Sequence, residues 1–245
     1  MFNTLLGIFT ANWYWVLLVA VLAYLIGSIN PAVIVTKVVT KGKSDIRQMG
    51  SGNAGFTNVL RSVGKVPAII TIVCDALKCI AAVFIGYYVI KLFVVSNLPV
   101  KDEWFVRCFL NCAKYNAGVF CIVGHAFPLY FRFKGGKGIV TAAALILAVD
   151  WRAFLIILGT FLIVFLISRI ISLGSIIGSI IYGPAVFFTT FVFDHLMTAP
   201  CLWYVLIATV CGCIIGGFAL AMHRENIKRL IRGEEKKIHA AKKAP

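Results

Sequence analysis

The sequence predicts an all-α polytopic membrane protein of about seven transmembrane helices, with its N-terminus outside and its C-terminus cytoplasmic. Three observations carry that expectation. The chain of 245 residues is 61% hydrophobic with a mean hydropathy of +0.95, well above the roughly 45–50% apolar content of soluble domains. Apolar runs of spanning length recur along it, and lipid, which offers the backbone no hydrogen-bond partners, forces such runs into helices. Basic residues gather in alternate loops, as they do on the cytoplasmic side of membrane proteins.

The apolar runs fall at roughly 13–38, 66–94, 105–128, 138–150, 153–169, 173–193 and 201–222. The fourth is short for a span, so it tilts little or reaches only part way. Residues 1–12 have no basic region ahead of the apolar core and no clear cleavage site, so they read as an N-terminal extension retained before a true span. Residues 1–245 are thus expected to form one membrane-embedded domain, with 233–245 as a basic cytoplasmic tail.

Orientation follows from the loops. Lys37, Lys41, Lys43, Arg47, Arg61 and Lys65 follow the first run, and Arg132, Lys134 and Lys137 follow the third. Arg169 ends the fifth run, and basic residues from Arg224 to Lys243 follow the seventh. The opposite loops, around Ser96–Arg107, Asp150–Arg152 and Asp194–Pro200, have few basic residues and include Asp102, Glu103, Asp150 and Asp194. Trp13, Trp15, Trp104, Trp151 and Trp203 fall near the outer ends, where aromatic belts sit.

Lys and Arg outnumber Asp and Glu by 24 to 9, a surplus that asks for an anionic partner. Because the basic residues lie between apolar runs, membrane lipid headgroups and phosphorylated small molecules fit better than nucleic acid, which is set aside. The eight cysteines, Cys74, Cys79, Cys108, Cys112, Cys121, Cys201, Cys211 and Cys213, form no CxxC or Cys/His ligand pattern and read as small hydrophobes. No metal, cofactor or obligate protein partner is implied.

Four stretches on the inner face carry the polar chemistry. The first inside loop, Asp45 to Lys65, reads DIRQMGSGNAGFTNVLRSVGK. Its glycines free the backbone for turns whose amides hold an oxyanion, with a hydroxyl from Ser51 and full charge from Arg61. A polar linker is the plain alternative, but it has no need of Asn53 and Asn58 beside Phe56, Val59 and Leu60. The second, GHAFPLYFRFKGGKGIVT from Gly124 to Thr141, ends with Gly135, Gly136, Lys137 and Gly138 directly before a helix. Helix starts attract anions. Gly138 stands where a Walker A loop has Ser or Thr, so no nucleotide is implied, and alone this GGKG could be a glycine turn.

Ser172 and Ser175 lie three apart at the start of the sixth run, suited equally to capping and to substrate contact. His223 and Asn226 are also three apart, and continued helix would aim both one way and turn Arg224, Lys228 and Arg229 elsewhere, toward lipid.

In order and on one face, SGNAGFTNVLR, GHAFPLYFRFKGGKG, SLGS and HRENIKRL resemble the integral-membrane acyl-phosphate:glycerol-3-phosphate acyltransferases of bacterial phospholipid synthesis. GSINP (Gly27–Pro31), Asp45 with Arg47, and Asp75 with Lys78 are similar to that family too, and the likeness spans roughly residues 15–232. The chain departs from it in a longer outer loop after Lys91, an extended amino terminus and a basic tail beyond Arg232.

The resemblance implies transfer of a fatty acyl group from acyl phosphate to the sn-1 hydroxyl of glycerol 3-phosphate, giving lysophosphatidic acid and phosphate at the cytoplasmic face of the bacterial plasma membrane. It places Ser51, Asn53, Arg61, Lys137, His223 and Asn226 in the catalytic set. Gly52, Gly55, Thr57, Asn58, His125, Gly135, Gly136, Gly138, Ser172 and Ser175 become substrate contacts, with GGKG at glycerol 3-phosphate. Ser51 and nearby amides then bind the donor phosphate or polarise its carbonyl.

An acyl phosphate is already activated, so alignment and oxyanion stabilisation suffice without a Ser-His-Asp triad. No Asp follows His125, His195, His223 or His239 at the spacing of a His-x4-Asp pair. The general base is His223 oriented by Asn226, His125, or the donor's own phosphate, and the family pattern favours the last. A transporter of phosphorylated solutes is the main rival, but it predicts related halves that are absent here. A structural anchor leaves the glycine loops unexplained.

Overall fold

A computed structural model describes residues 2–98, 102–197 and 202–237. Among these the regular secondary structure is helical throughout, with no strand. Cys201 and the tail beyond Lys237 lie outside the described residues.

The helices are α1 (Phe2–Ala11), α2 (Trp13–Ser28), α3 (Pro31–Val39), α4 (Phe56–Ser62), α5 (Lys65–Phe93) and α6 (Glu103–Ala126). They continue as α7 (Ile139–Val149), α8 (Trp151–Ser168), α9 (Ile171–Thr189), α10 (Leu202–Met222) and α11 (Arg224–Ile231). Among the described residues, five segments are long and apolar enough to cross a membrane: Trp13–Val39, Lys65–Asn97, Trp151–Ser168, Ile171–Leu196 and Leu202–Met222. Two more occupy expected runs but fall short of that measure. α6 has the length, yet Glu103, Arg107 and Lys114 dilute its hydropathy. α7 has 11 residues, about 16 Å of helix against a hydrocarbon core of roughly 30 Å.

The first run, expected to be continuous over 13–38, breaks in two. Ile29 is extended after α2, the Asn30 side chain accepts from the Val33 amide at 3.2 Å, and Pro31 opens α3 where its missing N–H costs nothing. Unwinding releases the Ile29 carbonyl, which accepts from Lys78 Nζ at 2.7 Å. Backbone unwound at membrane depth needs such a buried partner.

α2 packs on α5 and α6, α9 packs between α8 and α10, and α7 joins the groups through α5 and α6. Polar links tie the apolar core together: Tyr182 Oη donates to the Ala142 carbonyl at 3.0 Å, and Asn116 Nδ2 to the Val16 carbonyl at 3.1 Å. Trp15 stacks on Phe93 with ring centroids 4.3 Å apart, joining the start of α2 to the end of α5. Trp13, Trp104, Trp151 and Trp203 likewise stand in the first turns of α2, α6, α8 and α10. The loops after α3, α6, α8 and α10 therefore gather at the other end.

Candidate active site

The loop between α3 and α4 is shaped by its own side chains. Asp45 accepts from the Arg47 amide at 2.9 Å and pairs with the Arg47 guanidinium at 2.7 Å. That bonding to Arg47 holds the Asp45 carboxyl below its usual range. Arg47 Nη1 also donates to the Phe131 carbonyl at 2.6 Å, which pins this loop to the one after α6. Asn58, only 3% exposed, donates to the carbonyls of Ile46 at 3.1 Å and Met49 at 2.9 Å, and accepts from the Ser51 amide at 3.1 Å. Its amide is thus committed to the loop. Sequence reasoning made Asn58 a substrate contact; its bonds give it the task of holding up the turn that presents the exposed Ser51 and Gly52. Asn53 and Thr57 are half-buried beside that turn, with Gly55 buried between them at the start of α4.

The loop after α6 folds back on that helix. The amides of Gly135 and Gly136 donate to the carbonyls of Ala126 and His125, both at 3.1 Å. They are therefore engaged with protein, and the expectation that this glycine pair cradles a phosphate directly gives way to one in which it packs tightly. A Cβ on Gly136 would lie 2.2 Å from His125 Nε2 and 2.8 Å from the Ala54 carbonyl oxygen, so only glycine fits. Gly138 takes φ +78°, a left-handed conformation that starts α7 and is cheap only for glycine. Beneath this loop His125 Nδ1 lies 3.1 Å from Asp75 Oδ1, and the Lys78 ammonium is 2.9 Å from the same oxygen. Lys78 Nζ also lies 2.9 Å from His125 Nδ1, so the buried imidazole sits against the Asp75–Lys78 pair with its Nε2 edge facing Gly136.

The loops meet through a hydrogen bond from the Ala54 amide to the Gly135 carbonyl at 3.4 Å. Lys137 then reaches α11, donating to Asn226 Oδ1. Asn226 Nδ2 donates to Glu235 Oε1 at 2.8 Å, Ser172 Oγ to the same oxygen at 2.7 Å, and Arg229 Nε to Oε2 at 2.7 Å. Arg61 Nη2 donates to the Lys236 carbonyl at 3.4 Å. Four separated stretches thus form one cationic cluster. Burial and the neighbouring Arg229 lower the Lys137 ammonium to about 8, with Glu235 pulling the other way. Burial opposes ionisation of Glu235, but bonds from Ser172, Arg229 and Asn226 outweigh it and hold its carboxyl below the usual range.

Ser172 points into the cluster, whereas Ser175 donates to the Ile171 carbonyl at 3.0 Å, which separates two residues the sequence could not tell apart. His223 sits in the break between α10 and α11 with Nδ1 2.8 Å from the Ala219 carbonyl. Nδ1 therefore carries the proton and Nε2 is the acceptor. Burial lowers His223 to about 4, helped by the Lys137 charge. Asn226, expected to orient His223, is held instead by Lys137 and Glu235. Arg229, expected to face lipid, joins the cluster. Its place three residues after Asn226 on α11 was a usable signal, whereas nothing in the sequence pointed to Glu235.

Residues 17–233 match the profile of the glycerol-3-phosphate acyltransferase family. The chain belongs to that family. Relatives of this acyltransferase include the glycerol-3-phosphate acyltransferase of Francisella tularensis subsp. novicida, 36% identical over 92% of this chain and 94% of the relative. Another is that of Thermoanaerobacter pseudethanolicus, 36% identical over 91% and 96%. Among solved structures, PlsY (YgiH), an integral membrane glycerol 3-phosphate acyltransferase crystallised in its glycerol 3-phosphate form, superposes with a TM-score of 0.69 at 30% identity, covering 91% of this chain and 96% of that one. Its lysophosphatidic acid form gives 0.67. The acyltransferase is thus an integral membrane protein whose polar loops converge at one end of an all-helical bundle.

Proposed function

We propose that this acyltransferase moves a fatty acyl group from acyl phosphate to the sn-1 hydroxyl of glycerol 3-phosphate, releasing lysophosphatidic acid and phosphate, as the first acylation of phospholipid synthesis. The observation that carries the reading is the convergence of the loops through Ala54 and Gly135, with Lys137 bonded to Asn226. It sets the turn bearing Ser51 beside a cationic cluster, and a reaction between two phosphorylated substrates needs two such places. Residues 1–245 act as one domain that crosses the bacterial plasma membrane about seven times, with α7 reaching part way. The basic loops support an active site that faces the cytoplasm.

In this reading Lys137, Ser172, Asn226 and Arg229 receive the phosphate of glycerol 3-phosphate, while Ser51, Gly52, Asn53 and their amides address the acyl phosphate, with Arg61 neutralising charge between them. The hydroxyl oxygen attacks the acyl carbonyl carbon, the carbon–oxygen bond to phosphate breaks, and the hydroxyl proton passes to an oxygen of the departing phosphate. His223, at about 4, is too weak a base to lead. Its neutral Nε2 accepts a hydrogen bond from the glycerol and orients it. Alignment and charge stabilisation supply the catalysis.

The test is purified protein in detergent with acyl phosphate and labelled glycerol 3-phosphate. Lysophosphatidic acid should form without coenzyme A. Product from acyl-coenzyme A alone would reject the donor, and uptake into vesicles without product would reject the enzyme reading in favour of transport.

A further inference from the structure

The cationic cluster already holds an anion, and it comes from the chain itself. Glu235 has a side chain only 8% exposed and takes hydrogen bonds from Ser172, Asn226 and Arg229 at 2.7–2.8 Å. Those three donors, with Lys137 beside them, are the groups assigned above to the phosphate of glycerol 3-phosphate. A carboxylate and a phosphate ask for the same charge-assisted donors, and one set of donors cannot serve both.

The connection makes the carboxylate hard to escape. Between the end of α11 at Ile231 and Glu235 lie Arg232, Gly233 and Glu234, and Gly233 at φ +71° turns the chain back. The Glu234 amide fixes that turn on the Arg229 carbonyl at 2.8 Å, and Arg61 holds the Lys236 carbonyl at 3.4 Å. A group on so short a tether competes at an effective concentration in the millimolar range or above. The turn also falls at the edge of the family match, which ends at residue 233. Glu235 lies two residues beyond that match.

We infer that Glu235 is a tethered competitor of glycerol 3-phosphate and sets the affinity of this acyltransferase for it. The substrate enters when the Gly233–Lys236 segment swings out. If the carboxylate fills the cluster for two-thirds of the time, the apparent affinity is weakened about threefold, because only the open fraction binds. This inference rests on assigning the cluster to the substrate phosphate, and it differs in sign from a structural role: a strut's removal loosens Ser172, Asn226 and Arg229, whereas a competitor's removal exposes them.

Full-length Glu235→Gln and Glu235→Ala should be compared with the parent in detergent for KM and kcat toward glycerol 3-phosphate, with Lys137→Ala in parallel. The expected result is a KM about threefold lower or more in both Glu235 variants, a matching gain in competitive inhibition by inorganic phosphate, and parental behaviour in Glu235→Asp. If Lys137→Ala raises KM while the Glu235 variants leave it unchanged or raised, the competitor role is overturned and the site assignment survives. If Lys137→Ala leaves KM unchanged, the assignment fails and takes this inference with it.

Discussion

The amide of Ala54 and the carbonyl of Gly135 meet at 3.4 Å, although 81 positions separate them in the chain (135 − 54). Through this contact the serine-bearing turn and the lysine-bearing loop share one site, and Gly136 lets the backbones approach.

Gly136→Ala places a methyl 2.2 Å from His125 Nε2 and 2.8 Å from the Ala54 carbonyl oxygen. Neither neighbour can yield, since His125 is locked by Asp75 and the other atom is backbone. The variant is expected to lose about 1–3 kcal/mol of stability and most of its activity. Thermal unfolding in detergent alongside product formation checks this, and parental values in both would show that the loops need no close contact.

Ser51→Ala and Lys137→Ala should separate the two substrates. The Ser51 side chain is exposed and the turn is held through its amide. Ser51→Ala should therefore fold normally yet turn over more slowly when acyl phosphate saturates; undiminished kcat would remove Ser51 from the catalytic set. Lys137→Ala deletes a charged contact worth about 1.5–3 kcal/mol, a KM for glycerol 3-phosphate raised roughly 10–100-fold.

The pH dependence follows from Lys137. Burial lowers it to about 8, so it is an ammonium below that pH and a neutral amine above it. kcat/KM for glycerol 3-phosphate should fall as pH rises through 8, and Lys137→Arg, which stays charged, should move that fall to higher pH. His223 acts at the other end of the scale. Its ordinary value is 6.5 and its buried value about 4, so between these the unfolded chain takes up a proton that the folded chain refuses. The His223 contribution to stability is then complete above pH 6.5, declines as pH falls toward 4 and levels off below. His223→Gln should flatten that slope of melting temperature against pH.

Sidedness can be read by labelling. Single cysteines at Ser96 and Gly233, in an otherwise cysteine-free chain, should respond oppositely to a membrane-impermeant maleimide. In intact cells Ser96→Cys should label and Gly233→Cys should not until the membrane is opened. Labelling of both in intact cells would reject the proposed orientation.

The membrane class and the helices were legible because spanning length and hydropathy are local properties that lipid enforces. The break at Asn30 was also written locally, in an Asn-Pro pair, but it was hidden inside an apolar run. The polar motifs were visible as glycine-rich and basic loops, yet their division of labour was not. Asn58, Gly135 and Gly136 look like ligand-binding residues in the sequence and prove to be committed to backbone partners. Ser172 and Ser175 have the same type and surroundings, and only the position of Glu235 distinguishes them.

By itself the sequence determined that this is a membrane-embedded helical protein with its basic, glycine-rich chemistry in alternate loops, because composition and periodicity are summed over neighbours along the chain. The tertiary structure alone decided that His125 is buried beside Asp75 and Lys78, that Arg229 joins Lys137, and that Glu235 occupies the cationic cluster. Those outcomes depend on contacts between residues far apart in sequence, where geometry and desolvation set which charges meet.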